Sequence, residues 1–292
     1  MPDEQKICKK TEMKKGLAVL IMLSGILLSM YPFLSNCLNE RAAKAEIRYI
    51  QKQAETISTC SREKCLWQAR TYNAGLAEEK TELRDSFDSK NGDDQEGVPY
   101  EDILFFDSSG IMGFLEIPCI QVELPIYHGT SESVLQKGVG HLKGSSVPVG
   151  GQSTHAVLTG HTGLNKARLF TDLTSLEKGD LFFITVLNEK LAYCVDEIHI
   201  CLPEDTKALR IVRGEDHVTL VTCTPYGVND HRLLIRGTRT AYTENMDKRA
   251  AAKKVDSLWM ASYKRALAIG AGILAFLMGL LWMQKRIRRL QK

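Results

Sequence analysis

Residues 217–239 read HVTLVTCTPYGVNDHRLLIRGTR, and the rest of the chain is read outward from this stretch. Side chains alternate along a strand, so Val218, Leu220 and Thr222 share one face, and Thr219, Val221 and Cys223 the other. Pro225 and Gly227 stop the strand just past Cys223, which leaves its sulfur at a strand end beside a loop, rigidly held yet open to a substrate. Arg232 opens the next strand-like run, where a hairpin brings its guanidinium beside the sulfur. Taken alone, a strand cysteine is most often an inert small hydrophobe. Its neighbours must decide the matter.

The same alternation of short apolar runs and turn signals extends back to residue 111. Candidate strands are 112–117, 122–126, 156–159, 181–187, 191–201, 217–223 and 233–239, punctuated by Pro118, Gly129, Gly150-Gly151, Gly179, Pro203 and Pro225. Many short strands with few helices predict a mainly β domain, a closed barrel or a sandwich, over 111–242. Before it, Ile47, Ile50, Ala54 and Ile57 recur at spacings of 3, 4 and 3, which predicts a packing helix over 36–84. Residues 85–110 shift to an acidic, Ser- and Gly-rich surface loop, and 243–265 form a polar linker.

Two uncharged stretches are long enough to cross a bilayer, which needs about 20 mostly apolar residues. They are 16–34 (GLAVLIMLSGILLSMYPFL) and 266–283 (ALAIGAGILAFLMGLLWM). The first, with a span assigned to 16–35, reads as an uncleaved anchor; a cleaved signal peptide is the rival reading. Residues 1–15 and 284–292 are then basic tails on the cytoplasmic side, the last nine residues holding five basic groups and no acid. Arg41, Lys44, Arg48, Lys264 and Arg265 flank the spans on the other side and weaken that asymmetry. The net charge of +3 over 292 residues is too small to imply a nucleic-acid partner, and much of the basic excess lies in the tails. The eight cysteines do not form a disulfide framework by spacing, and Cys60 and Cys65 have no second Cys or His pair to complete a zinc site. No metal and no cofactor is expected.

Upstream, VLTGHTGL sets His161 just after a strand and beside glycines, where side chains face a cleft. A cysteine, a general acid/base and a fixed cation are the parts acyl transfer needs. The stretch from Gly113 to Arg239, with TLVTC around Cys223, TGHTGL around His161 and HRLLIRG around Arg232, resembles the class C (pilus-assembly) sortases. The second apolar span fits the same class. The resemblance implies a closed eight-stranded β-barrel with an N-terminal helical segment and two flanking transmembrane helices. It implies a cysteine transpeptidase in which Cys223 attacks the Thr–Gly bond of an LPxTG-type sorting signal, His161 moves the proton and Arg232 stabilises the oxyanion. The acyl group then passes to the acceptor lysine of a pilin subunit. The partners implied are LPxTG-type pilin or surface-protein substrates and the plasma membrane of a Gram-positive-type bacterium, with the catalytic domain extracellular.

Class C sortases usually carry a lid with an Asp-Pro-aromatic motif. Here Asp85-Ser86-Phe87 keeps the acid and the ring and lacks the proline, so a looser lid or an acidic solvated loop are both open. Alternation turns His231 away from Arg232; His128, His141 and His155 read as structural or solvated; Arg236 shares strand parity with Arg232; Thr222 is a candidate support for the site. Three rival functions remain on the residues. They are a sortase attaching proteins to the cell wall, an inactive membrane scaffold that binds sorting signals, and a hydrolytic cysteine peptidase.

Overall fold

The structure is a computed structural model that describes residues 2–78, 83, 85, 87, 99–105, 109–164, 167–255 and 257–290. Ser86 and most of the acidic stretch lie outside the described residues. The chain divides into two compact units, Asn39–Met260 and a second made of Met1–Leu38 with Ala261–Lys292.

Within the larger unit, the C-terminal part of α1 (Pro2–Thr56) buries Ala43, Ile47, Ile50 and Ala54, the stripe that the 3-and-4 spacing predicts. After a break at Ile57-Ser58, α2 (Thr59–Glu78) buries Leu66, Ala69 and Leu76. It also buries Asn73, whose amide acts as a strand edge. Its Nδ2 donates to the Val147 carbonyl at 3.0 Å, and the Val147 N–H donates to its Oδ1 at 2.8 Å. A buried amide satisfied on both sides pins the helix to the chain that follows.

The strands are β1 (Ile111–Ile117), β2 (Val122–His128), β3 (Val139–His141), β4 (Thr154–Thr159), β5 (Leu181–Val186), β6 (Glu189–Cys201), β7 (Asp216–Thr224) and β8 (His231–Thr240), with the one-turn helix α3 (Glu132–Leu135) between β2 and β3. They close into one barrel in the order β1-β2-β3-β4-β7-β8-β6-β5, with β5 returning to β1. The β2–β3 and β4–β7 pairs are parallel and the others antiparallel. Closure leaves no unpaired edge, which a mixed sheet of short strands would otherwise expose. The expected eight-stranded barrel is the observed one.

Alternation sorts β7 as its sequence requires. Val218 and Leu220 enter the main core with Leu115, Ile126, Leu158, Phe182, Ile184 and Ile235. Val221 turns the other way and joins Leu142, Val157, Cys201, Leu209 and Leu234 in a separate apolar patch. That second patch matters below, because the catalytic candidates sit on its face.

Part of the stretch expected to be linker is helical. α4 (Glu244–Ala252) tucks Ala250 against Phe183 and Ala192, and Asp247 accepts from Lys190 Nζ at 2.8 Å and from the Tyr242 hydroxyl at 2.5 Å. In the smaller unit, α5 (Leu258–Leu290) covers the second expected span, and Tyr263 stacks on Phe33 with ring centroids 6.5 Å apart. Among the described residues one helical stretch, Leu20–Thr56, is long and apolar enough by length and composition to cross a membrane.

Candidate active site

Strand register builds the site. Cys223 and Arg232 are direct cross-strand partners of β7 and β8, so their side chains leave the sheet on one face. On the other side of β7, β4 runs parallel with Thr159 opposite Val221. Just past the end of β4, the Gly160 N–H donates to the Val221 carbonyl at 3.0 Å, so the loop that carries His161 leaves β4 still beside β7. Cys223 and Arg232 thus lie side by side at the strand ends, with His161 in the loop that leaves the neighbouring β4; these three make up the candidate row.

Local sequence holds the histidine there. A side chain at Gly160 would put its Cβ 2.7 Å from the Phe170 ring, so only glycine lets the chain pass under that ring. Gly163 has φ of +76°, a left-handed conformation that glycine adopts at no steric cost. The Thr222 hydroxyl donates to the Gly160 carbonyl at 2.7 Å, and the Phe170 N–H to the His161 carbonyl at 3.1 Å. Thr222 thus ties the nucleophile strand to the histidine loop.

Asp85 and Phe87 pack against Arg232 and His161. Arg232 donates from Nε and Nη2 to the two carboxylate oxygens of Asp85, at 2.9 and 2.6 Å. Such a fork fixes the guanidinium plane as well as its position. The Phe87 ring lies between the two polar partners, 5.6 Å from the His161 ring and 4.8 Å from the Arg232 guanidinium carbon. Its N–H donates to Asp85 Oδ1 at 3.4 Å, a short local turn that needs no proline. Leu83 and Phe87 both pack on the apolar patch of Val157, Val221 and Leu234, and the Leu83 carbonyl accepts from the Thr206 hydroxyl at 3.0 Å.

Charge and burial act against each other at the sulfur. Burial pushes the Cys223 thiol above its usual range, Arg232 pulls it down, and Asp85 opposes Arg232; the net direction is up. Burial alone would lower the Arg232 guanidinium, but the Asp85 bonds and the nearby Cys223 hold it above its ordinary value.

A second thiol flanks Arg232. Cys201 pairs with it across β6 and β8, yet it is buried, faces the Asp205 carbonyl at 3.5 Å, and lies on a strand that does not adjoin β4. Position beside the histidine strand separates Cys223 from it. His231 turns outward to Asp230 at 2.8 Å, and Arg236 is engaged by Asp196 and Glu197. His128, His141 and His155 bond main-chain carbonyls of Ile103, Ser146 and Arg210; burial holds His141 and His155 at about 4. One contact escaped the sequence reading. Glu132 at the start of α3 lies 3.2 Å from His161 Nε2, a tertiary approach over 29 residues that no local pattern signals.

The Sortase domain family profile matches residues 115–240. Among curated proteins, the chain is 29% identical to sortase A of Bacillus anthracis over 131 residues and 34% identical to sortase D of Bacillus subtilis over 130 residues, 45% and 44% of this chain. The matches span 60% and 63% of those relatives' own lengths. Among solved structures, sortase C of Streptococcus pneumoniae, described with pilin substrate specificity, is 42% identical with a TM-score of 0.62, covering 68% of this chain and 98% of that one.

Proposed function

Since this chain belongs to the sortase family, and within it to class C, we propose that it is a membrane-anchored cysteine transpeptidase that joins pilin-type subunits. The observation that supports the proposal is the cross-strand pair Cys223–Arg232 with His161 just past the end of β4, the strand that runs beside β7.

In this reading the Cys223 thiol passes its proton to His161 and the thiolate sulfur attacks the threonine carbonyl of an LPxTG-type signal. Arg232 meets the oxyanion that forms as the C–S bond closes. His161 gives a proton to the departing glycine amine as the C–N bond breaks, which leaves a thioester on Cys223. The acceptor lysine amine then attacks the thioester, His161 takes its proton, the C–S bond breaks to release the thiolate, and the proton returns from His161 to Cys223. The product is an isopeptide bond. No cofactor enters any step.

The Asp85 carboxylate on two donor positions of Arg232 and the Phe87 ring beside His161 support reading this arrangement as a closed state. In this reading Asp85 and Phe87 belong to a lid that substrate displaces. Sortases are membrane-associated enzymes of the cell surface; here the first apolar helix, and α5 as a second span, anchor the chain with the barrel outside.

Product analysis with an LPxTG peptide, a lysine-bearing pilin domain and a cell-wall peptide amine in one mixture tests the proposal. A peptide–lysine isopeptide product is expected. A product that carries only water would mark a hydrolase, and one carrying only a cell-wall amine would mark a wall-anchoring enzyme.

A further inference from the structure

A cavity of about 870 Å3 lies beside the lid anchor and outside the catalytic row. Its apolar wall is formed by Ala77 of α2, Leu83, Leu209 and Ile211. Arg210 and Arg213 stand at its rim, both exposed, and neither guanidinium has a partner among the described residues. Glu78 is the one acidic group in the described lining. His155, which also lines the cavity, adds no charge at neutral pH, since burial pushes its imidazole down to about 4.

We propose that this cavity binds an extended acidic peptide segment bearing apolar side chains, and that its occupancy favours the closed lid. The volume is at the upper end for ligand sites, too large for a simple anion. An apolar wall facing two unpaired cations asks for apolar side chains on one side of the ligand and carboxylates on the other. No small polar molecule meets both demands.

The coupling follows from Leu83. Its side chain lines the cavity and packs with Leu209 on the patch that also receives Phe87, while its carbonyl is held by Thr206. The wall is therefore complete only while the lid is docked. A ligand that touches Leu83 binds the docked form more tightly, and by linkage it shifts the lid toward that form. This second part rests on the lid reading above. Binding itself does not depend on any transfer activity.

The test uses the full chain in a non-ionic detergent, with Cys223→Ala to prevent turnover. A fluorescein-labelled decapeptide of five glutamates, three leucines and two glycines is titrated by anisotropy. Charge reversal by Arg210→Glu with Arg213→Glu weakens binding about ten-fold or more, the combined worth of two partly exposed ion pairs turned repulsive. The same peptide with lysines for glutamates shows the opposite preference, favouring the reversed variant. Leu83→Ala weakens the glutamate peptide about three-fold or more. With Cys223 intact and the other cysteines replaced by serine, saturating glutamate peptide slows alkylation of Cys223 several-fold, and does so much less in the reversed variant. Equal affinity in the native and reversed chains, or equal binding of both peptides, overturns the site. Site binding as described with an unchanged alkylation rate overturns the coupling to the lid.

Discussion

Removing both lid contacts, by Asp85→Ala with Phe87→Ala, is expected to raise the alkylation rate of Cys223 roughly 6- to 30-fold. The magnitude comes from the contacts of Asp85 and Phe87. The fork between Asp85 and Arg232 has side chains 21% and 11% exposed, so it is partly screened. Hydrogen bonds to charged groups are worth about 1.5–3 kcal/mol when well buried, and solvent reduces this pair to about 1–2 kcal/mol. Half-burying the Phe87 ring contributes about 1 kcal/mol more. The entropy lost when these side chains and their backbone dock offsets part of that gain. A net preference for closure of about 1–2 kcal/mol leaves roughly 3–16% of molecules open. The two contacts together exceed that preference, so the double variant is essentially always open and the gain is the inverse of the original open fraction. Iodoacetamide is the reagent, applied at neutral pH to a chain in which Cys223 is the only cysteine. Ser86→Pro, which presets the backbone of the undocked loop, is expected to slow the reaction about two- to five-fold. An unchanged rate in the double variant would show that Asp85 and Phe87 do not gate the sulfur.

The remaining predictions concern the row itself. Cys223→Ala abolishes both thioester formation and subunit joining while thermal melting still reports a folded barrel; a retained covalent adduct would move the nucleophile to another cysteine. His161→Ala lowers turnover about 10²–10⁴-fold, as for loss of a general acid/base, and Arg232→Ala about 10²–10³-fold, as for loss of an oxyanion donor. His231→Ala, which removes a side chain facing Asp230, changes turnover by less than about three-fold, and the reverse ranking of His161 and His231 would refute the assignment. Because burial and Asp85 raise the Cys223 thiol, its thiolate is scarce at neutral pH and the alkylation rate climbs through a raised midpoint. Asp85→Ala removes one raising influence and leaves Arg232 to pull the other way, so the midpoint moves to lower pH. A pH–alkylation profile that does not move, or moves upward, contradicts this account.

The strands that carry the site were the most legible part of the sequence. β7 keeps a strict alternation from Val218 to Cys223 because its two faces meet different apolar clusters, and such a difference is written into residue type. β3 left no such trace. It is three residues long, and Gly140 sits so close to β2 that a Cβ would lie 2.4 Å from the Gly129 carbonyl, so close approach replaced the apolar run that marks a strand. α4 was hidden for the opposite reason. Its sequence is polar enough to be linker, and its docking depends on Ala250 and on charges of Lys190 and Asp247 that lie 57 residues apart. The meeting of Asp85 with Arg232 spans 147 residues, and composition alone describes the first as part of an acidic loop. Only the family resemblance pointed to it. The approach of Glu132 to His161 had neither a local pattern nor a family motif to announce it.

The central claim is that Cys223 carries the acyl group, and intact-mass analysis of the full chain tests it most directly. The chain is incubated with an LPxTG peptide without an acceptor amine, quenched in acid, and digested to locate the adduct. The account predicts a mass increase equal to the peptide fragment ending in threonine, labile to hydroxylamine and mapped to Cys223. An adduct on Cys201 or any other cysteine, or cleavage of the peptide in a Cys223→Ala chain, would contradict it.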